Sequence, residues 1–468
     1  MTSSTVRTAS QGAPRSGAAA VLVALLMRLH FYIGLLVGPF LLIAAFSGLL
    51  YALTPQIESA VFHHQLYTDS RGPTLPLAEQ IHVAEQVIES DARLSAVRPA
   101  PAPGTTTRVM FHEPGMGPSD ARAIFVDPVT GGVRGDLPVY GTSGALPLRT
   151  WIDKFHRSLL LGDWGRLYSE LAASWLWVLA LGGLALWWQR RRRISAGGRR
   201  PSGMRRWHGT LGAWLMLGLL FFSATGLTWS QWAGGNIAVL RHAWGWGTPS
   251  VSTQLADAAP VGAHEHHGVV DNPGAKKVAS PPPERFDGVL AAARGVGLDA
   301  GKVELIPPAS EDRAWKVREI DRRWPTRVDE VAIEPNTLQV IDRTRFEDFP
   351  LAAKLTRWGI DAHMGILFGL PNQLLLVGVA SGLIAMIVLG YRMWWQRRPT
   401  LRGCEVVAPL ALLRRLPKPL ALTILVMAAL LGWALPLMGI SLLAFLLLDS
   451  LLLHYRQRRT GAAVADPT

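Results

Sequence analysis

The stretch Arg28-Leu29-His30-Phe31-Tyr32-Ile33-Gly34 opens an apolar run that closes on Ser47-Gly48. A second, Arg206-Trp207-His208-Gly209-Thr210-Leu211-Gly212, opens one that closes on Thr225-Gly226. The two align at a constant offset of 178 residues, with Leu41/Leu219 and Leu49/Leu227 also in register. Another frame, offset by 207, pairs Trp151/Trp358, His156/His363, Gly162/Gly369, Ser174/Ser381 and Gly183/Gly390. It also pairs Trp187-Trp188-Gln189-Arg190-Arg191 with Trp394-Trp395-Gln396-Arg397-Arg398. The chain reads as two copies of one unit, helix–external domain–helix, each copy supplying a histidine near each membrane face.

The chain has 468 residues, of which 49% are hydrophobic, with a mean hydropathy of +0.21. It is apolar enough to be embedded in a membrane and too polar to lie in one throughout. A span takes about 20 apolar residues to cross a ~30 Å hydrocarbon core. Residues 33–53, 171–188, 211–232 and 374–394 meet or approach that length, and 420–453 suffices for a hairpin turning near Pro436 and Gly439. The expected fold is α-helical and membrane-embedded, with about six spans: 28–53, 166–188, 207–232, 371–395 and a hairpin over 419–455.

The net charge of +13 follows topology rather than nucleic-acid binding. Residues 190–206 hold eight arginines and no acid, 392–418 hold seven basic residues against Glu405, and Arg456, Arg458 and Arg459 mark the tail. Short basic loops beside spans stay cytoplasmic. That places tails 1–27 and 456–468 and loops 189–206 and 396–418 inside, with 54–165 and 233–370 outside. The apolar run 33–53 is too long for a signal-peptide core and is expected to remain as an anchor. The single cysteine, Cys404, excludes disulfides, iron–sulfur clusters and thiolate zinc sites within one chain. No Gly-rich fingerprint follows a strand, so no NAD or FAD domain is expected.

The external segments share a pattern. The first reads as an amphipathic helix over 77–89, strands Thr107–His112 and 123–126, and the turn Asp127-Pro128-Val129-Thr130-Gly131-Gly132 leading to another strand. The second reads as a helix over 285–293, strands Val303–Ile306, 314–320 and 328–333, and the turn Glu334-Pro335-Asn336-Thr337. Asp127 and Glu334 each precede their histidine by 29 residues. Two small α+β modules are expected, each with one sheet face buried. The linker 247–283 carries His264-Glu265-His266-His267. Those imidazoles could take a transition metal, or the tract is a solvated tether, since it has no counterpart in the other copy.

The Arg-x-His…Gly…Ser/Thr-Gly helices resemble the first helix of the PepSY-associated transmembrane family. His156-Arg157-Ser158-Leu159-Leu160-Leu161-Gly162 and His363-Met364-Gly365-Ile366-Leu367-Phe368-Gly369, each before a span ending Trp-Trp-Gln-Arg-Arg, resemble its second. The resemblance covers about 28–400, and the external modules look like PepSY domains. It implies similarity to bacterial inner-membrane ferric-siderophore reductases, thought to pass electrons through b-type haem to periplasmic iron chelates. The last two spans lie outside it.

Two imidazoles give a haem iron two axial ligands and no open site, which suits electron transfer. His30 and His208 form one candidate pair and His156 and His363 the other, for two haem b groups. Gly34 and Gly212, one turn beyond the inner histidines, would admit a flat macrocycle, and Arg28 and Arg206 could pair with propionates. From His30 to Gly48 a helix rises ~27 Å, which sets the sites at opposite faces. His64 and His242, matched at offset 178, are an alternative outer pair. The plainer reading makes the histidines interfacial anchors, the tryptophans a belt and the small residues helix-packing positions.

The expected function is export of electrons across the bacterial inner membrane to a ferric siderophore or similar chelate, from a quinol or a cytoplasmic reductase. The rivals are a non-enzymatic PepSY membrane protein that binds a partner or restrains a protease, and a periplasmic metal-handling protein built on His264, His266 and His267.

Overall fold

A computed structural model describes residues 17–88, 91–196, 198, 203–255, 281–397 and 409–464. The first apolar segment folds as two helices, Ala18–Leu36 and Gly38–Ala52. The break follows from Pro39, which has no N–H to offer the Leu35 carbonyl one turn back. The Tyr391 hydroxyl donates to that carbonyl instead, at 2.7 Å. Gly38 leaves the room for it, since a Cβ there would stand 3.0 Å from the Tyr391 oxygen. Such substitution is needed where no water can satisfy a freed carbonyl. The helix starts at Ala18, ahead of the expected start at 28, because 18–27 is itself apolar; the expected tail 1–27 is shortened accordingly.

Among the described residues four helices are long and apolar enough to cross a membrane: Ala18–Leu36, Gly162–Ser195, Gly203–Thr228 and Leu370–Gln396. Gly38–Ala52 with Thr54–Val61, bent by 52°, would make a fifth. Six were expected. The C-terminal segment gives Lys418–Ala434 and Pro436–Leu451, apolar but each short of the ~20 residues a straight span takes. These two do reverse direction: a Cβ on Gly432 would lie 3.1 Å from Gly439 Cα, whereas seven residues of continuous helix would separate them by ~10 Å.

The described chain forms two compact units. One comprises Met1–Ile43, Leu167–Asn236 and Gly382–Thr468, and the other Ala44–Arg166 and Ile237–Ser381. In the first, small residues let helices meet closely: Ser223 Oγ donates to the Ala173 carbonyl at 2.6 Å. Glu170, 1% exposed, accepts from the backbone N–H groups of Trp232 and Ala233 and so caps the helix Trp232–Ala243.

In the second unit the strands of the two expected modules share one sheet. Strands β1 (Arg93–Arg98), β2 (Thr107–His112), β3 (Asp120–Val126), β4 (Val133–Tyr140), β5 (Val303–Ile306), β6 (Trp315–Glu319), β7 (Glu330–Ile333) and β8 (Val340–Thr344) make one sheet. Its order is β4-β3-β2-β1-β5-β6-β7-β8, antiparallel throughout, joined across the middle by Val97 opposite Leu305. Pairing β1 with β5 removes two exposed edges at once. Helices Leu77–Glu85 and Glu284–Gly295 cover one face through a common core of Ile81, Val97, Phe286, Leu305 and Trp315. The Asp287 carboxylate accepts from the Leu77 and Ala78 N–H groups, tying the helices together. Asp127 and Glu334 hold the matched β3–β4 and β7–β8 turns. Each accepts the N–H groups two and three residues on, from Val129 and Thr130 or from Asn336 and Thr337.

Candidate functional site

His30 and His208 face one another in the helical unit, ring centroids 6.4 Å apart and planes at 84°. Glycine seats His30: a Cβ on Gly183 would come within 3.1 Å of His30 Cε1, whereas one on Gly390 would lie 3.7 Å from His208 Cε1, an ordinary contact. The backbone orients His208. His208 Nδ1 stands 3.0 Å from the Met386 carbonyl. A carbonyl only accepts, so Nδ1 carries the proton and Nε2 keeps its lone pair. The His30 ring lies near the backbone of Leu179, and its buried Nδ1 makes no hydrogen bond. Leu179 and Met386 stand at the 207-residue offset, as do Gly183 and Gly390.

Two imidazoles at this separation would be the residues to hold a metal ion between them. Among the described residues no three His, Cys, Asp or Glu side chains converge as a metal cage. A pair of histidines therefore suits an ion that brings its own equatorial donors, as haem iron does. Open space stands where a Gly34 Cβ would project, while at Gly212 a Cβ would meet Met386 Cε at 3.0 Å.

The two arginines of the sequence reading differ. Arg28 is engaged by Asp449, Nη2 to Oδ1 at 3.1 Å, and lies 3.5 Å from the Tyr32 hydroxyl. Arg206 is exposed.

His156 and His363 sit in the sheet-bearing unit, on helices Pro147–Ser158 and Leu351–His363. His156 Nδ1 is 2.9 Å from Ser47 Oγ. Ser47 is fully buried and donates its own proton to the Ala44 carbonyl at 3.2 Å. The hydrogen bond between Ser47 and His156 orients the His156 ring. A Cβ on Gly48 would stand 3.2 Å from His156 Cε1. Burial pushes His363 down to about 3, and the nearness of His156 lowers it further; burial also lowers His156. Both rings are neutral at physiological pH, the form that binds metal. Beside them Asp361, fully buried, accepts from Arg322 Nε at 2.6 Å and Arg357 Nε at 3.0 Å.

His64 and His242 are exposed on helices His63–Leu66 and Trp232–Ala243. His264, His266, His267 and Cys404 lie outside the described residues. Sequence reasoning missed the partners: Leu179, Met386, Asp449 and the bond of Ser47 to His156. Only Ser47, matched with Thr225 in the repeat frame, carried a signal.

Residues 27–397 match the family model of the PepSY-associated TM region. No curated protein matches the chain.

Proposed function

The chain belongs to the PepSY-associated TM family, and from that premise we propose that it is a b-type haem protein of the bacterial inner membrane. It carries electrons outward to reduce a ferric siderophore or similar chelate, with both termini cytoplasmic and PepSY domains outside. The observation that carries the reading is the His30–His208 pair, 6.4 Å between centroids with His208 Nδ1 on a backbone carbonyl. When bound between such histidines, haem supplies one-electron exchange between ferric and ferrous iron with no open coordination site.

The residues supply the rest. The Met386 carbonyl fixes the tautomer of His208, and Ser47 orients the His156 ring; such outer partners set ring orientation and raise ligand basicity. Gly183 and Gly48 let the His30 and His156 rings approach a neighbouring helix. In this reading one histidine pair serves each membrane face, with 18 residues of chain between His30 and Gly48. The electron donor is a quinol or a separate cytoplasmic reductase. At the acceptor, reduction to the less highly charged ferrous ion weakens binding by hard oxygen donors.

The test is optical. Protein purified from haem-sufficient cells should show a reduced-minus-oxidised b-type spectrum and about two haems per chain by pyridine haemochrome. His30→Ala and His363→Ala should each lose about one. A colourless preparation would overturn the reading and favour a non-enzymatic role for the external domains.

A further inference from the structure

We propose that the helices Pro147–Ser158 and Leu351–His363 lie in the headgroup layer of the bilayer, so that the sheet-bearing unit is seated on lipid through two matched apolar patches.

The pattern of the two helices comes first. Leu148, Trp151 and Phe155 follow one another at steps of three and four, as do Leu351, Leu355 and Trp358, so each set lines one face of its helix. Arg149, Asp153 and Arg157 line the opposite side of the first helix. In the second, Ala353, Arg357 and Asp361 line a different face, where Asp361 is fully buried. Leu148/Leu355 and Trp151/Trp358 stand at the 207-residue offset. The apolar faces are left open by the described chain: Trp151 is 52% exposed, Leu351 67% and Leu355 56%. Trp151 and Phe155 stack at 5.5 Å with planes 7° apart, which makes one flat apolar surface of the two rings. Contiguous exposed apolar surface marks a partner.

Where the chain goes next identifies that partner. The first helix ends at Ser158, four residues before the span Gly162–Ser195, and Leu160, Leu161 and Trp164 at that entry are exposed. The second ends at His363, seven residues before the span Leu370–Gln396, and Phe368 and Leu370 at its entry are exposed. Even fully extended, connections of four and seven residues reach no more than about 14 and 25 Å. Neither helix can therefore lie far from the point where its span leaves the hydrocarbon. The sheet reaches the same level. Trp324, between β6 and β7 and itself exposed, donates its N–H to the Leu367 carbonyl at 2.7 Å and sets its ring 5.9 Å from Phe368. Tryptophan at that depth finds both an apolar layer for its ring and polar headgroups. At the 207-residue offset the first half has Gly117 in place of Trp324, so this third contact belongs to the second half alone.

Apolar area rather than charge holds the unit there, because the cations on both helices are engaged by protein. Arg149 pairs with Glu58, Arg157 donates to the Tyr140 hydroxyl and Lys154 lies over the Tyr140 ring. Arg357 pairs with Asp361, and Lys354 donates to the Glu347 carbonyl. A neutral phosphatidylcholine surface suffices, and salt, which screens exposed charges, should leave the contact intact. His156 and His363 ride on the same two helices, so seating on lipid fixes the depth of that pair whether or not haem is bound.

The test is the depth of nitroxide labels on the full chain in phosphatidylcholine nanodiscs. Trp151→Cys, Leu351→Cys and Leu355→Cys, each with Cys404→Ser, are labelled and read by power saturation. Oxygen, concentrated in lipid, and a nickel chelate, confined to water, are the relaxing agents. A label at Glu79→Cys, exposed on the helix Leu77–Glu85, is the aqueous reference. The three sites should favour oxygen and report a depth of about 5–10 Å, as an interfacial helix does. That depth should be the same at low and high salt. Nickel access equal to that of the Glu79→Cys label would overturn the seating. Restricted access to both agents would mean that protein covers the patches, either a second copy or another segment of this chain, and would overturn it as well. Because each label replaces an apolar residue, unlabelled protein grown on fluorotryptophan supplies a second readout. The fluorine resonance that disappears in Trp324→Phe should broaden on addition of doxyl-labelled phosphatidylcholine, and a resonance left sharp would sink the Trp324 contact.

Discussion

Asp449→Asn tests whether the C-terminal hairpin is a docked part of the helical unit. Its second arm presents Ser441, Phe445 and Asp449 at successive four-residue steps, along one face. They meet Trp175 Nε1 at 2.9 Å, the Tyr32 ring at 4.9 Å and Arg28 Nη2 at 3.1 Å. The ion pair is nearly dry, its side chains 13% and 7% exposed. The substitution leaves the guanidinium with only the long 3.5 Å approach to the Tyr32 hydroxyl and the acceptor oxygen of Asn. Removing one partner of a buried pair costs about 3–5 kcal/mol. Placing an arginine at mid-helix in a bilayer costs about 2.5–3.5 kcal/mol on insertion scales. Because Asn keeps an acceptor, the low end applies: about 3 kcal/mol, roughly a hundredfold in the docked-to-undocked ratio. Steric trapping or SDS titration of the intact chain measures it, with cysteine crosslinking of Ser441 to Trp175 positions as a readout of docking. The Arg28→Leu/Asp449→Leu double variant should recover most of the loss, since no charge is stranded. A single variant as stable as wild type, or a double variant no better than the single, would refute the reasoning.

Gly183→Val should abolish the inner haem and spare the outer one, because its Cβ alone would reach 3.1 Å from His30 Cε1; Gly48→Val should do the reverse through His156 at 3.2 Å. Haem counts and spectra of the two variants report it. Ser47→Ala should weaken the outer site about 10–100-fold by removing a hydrogen bond that orients the His156 ring, with the inner spectrum unmoved. Haem titration and electron paramagnetic resonance separate the two. Burial pushes the Asp127 carboxyl up, but hydrogen bonds from Ser70, Thr68, Val129 and Thr130 outweigh it and hold the group at about 2. Its folded value is thus below the unfolded 3.8, so its stabilisation is present above pH 4 and lost as pH falls towards 2. Denaturant unfolding of the sheet at pH 6 and pH 2.5 should show that loss in the wild type and a smaller one in Asp127→Asn.

The parts legible in the sequence were those that a long repeat preserves. Offsets of 178 and 207 singled out His30, His208, His156 and His363 before any geometry was available. They also marked Gly183, whose role as an imidazole seat only appears once helices are packed. Strand β1 was missed because a bulge between Leu94 and Ala96 breaks its alternation. Strand β8 was missed because it pairs only with β7 at the sheet edge and carries Asp342 and Arg343. The union of the two modules rests on β1 meeting β5 across some 200 residues of chain, a pairing that local pattern does not encode. Pro39 stood in plain view, yet its consequence depended on Tyr391, from the far end of the chain.

The departures from the repeat are as informative as the matches. A cofactor held by one histidine from each half makes the same demand on both halves, and Gly183/Gly390 and Leu179/Met386 stand beside the two rings in matched pairs. Two copies that cross the membrane in the same sense, as the proposed topology has them, already share an inside and an outside that differ. Features without a counterpart break the equivalence of the halves instead. Two stand out: the hairpin docked on Arg28, Tyr32 and Trp175 of the first half, and Trp324 beside Phe368 in the second. Under the proposed function the repeated residues hold the carriers, and the unrepeated ones set one half apart from the other.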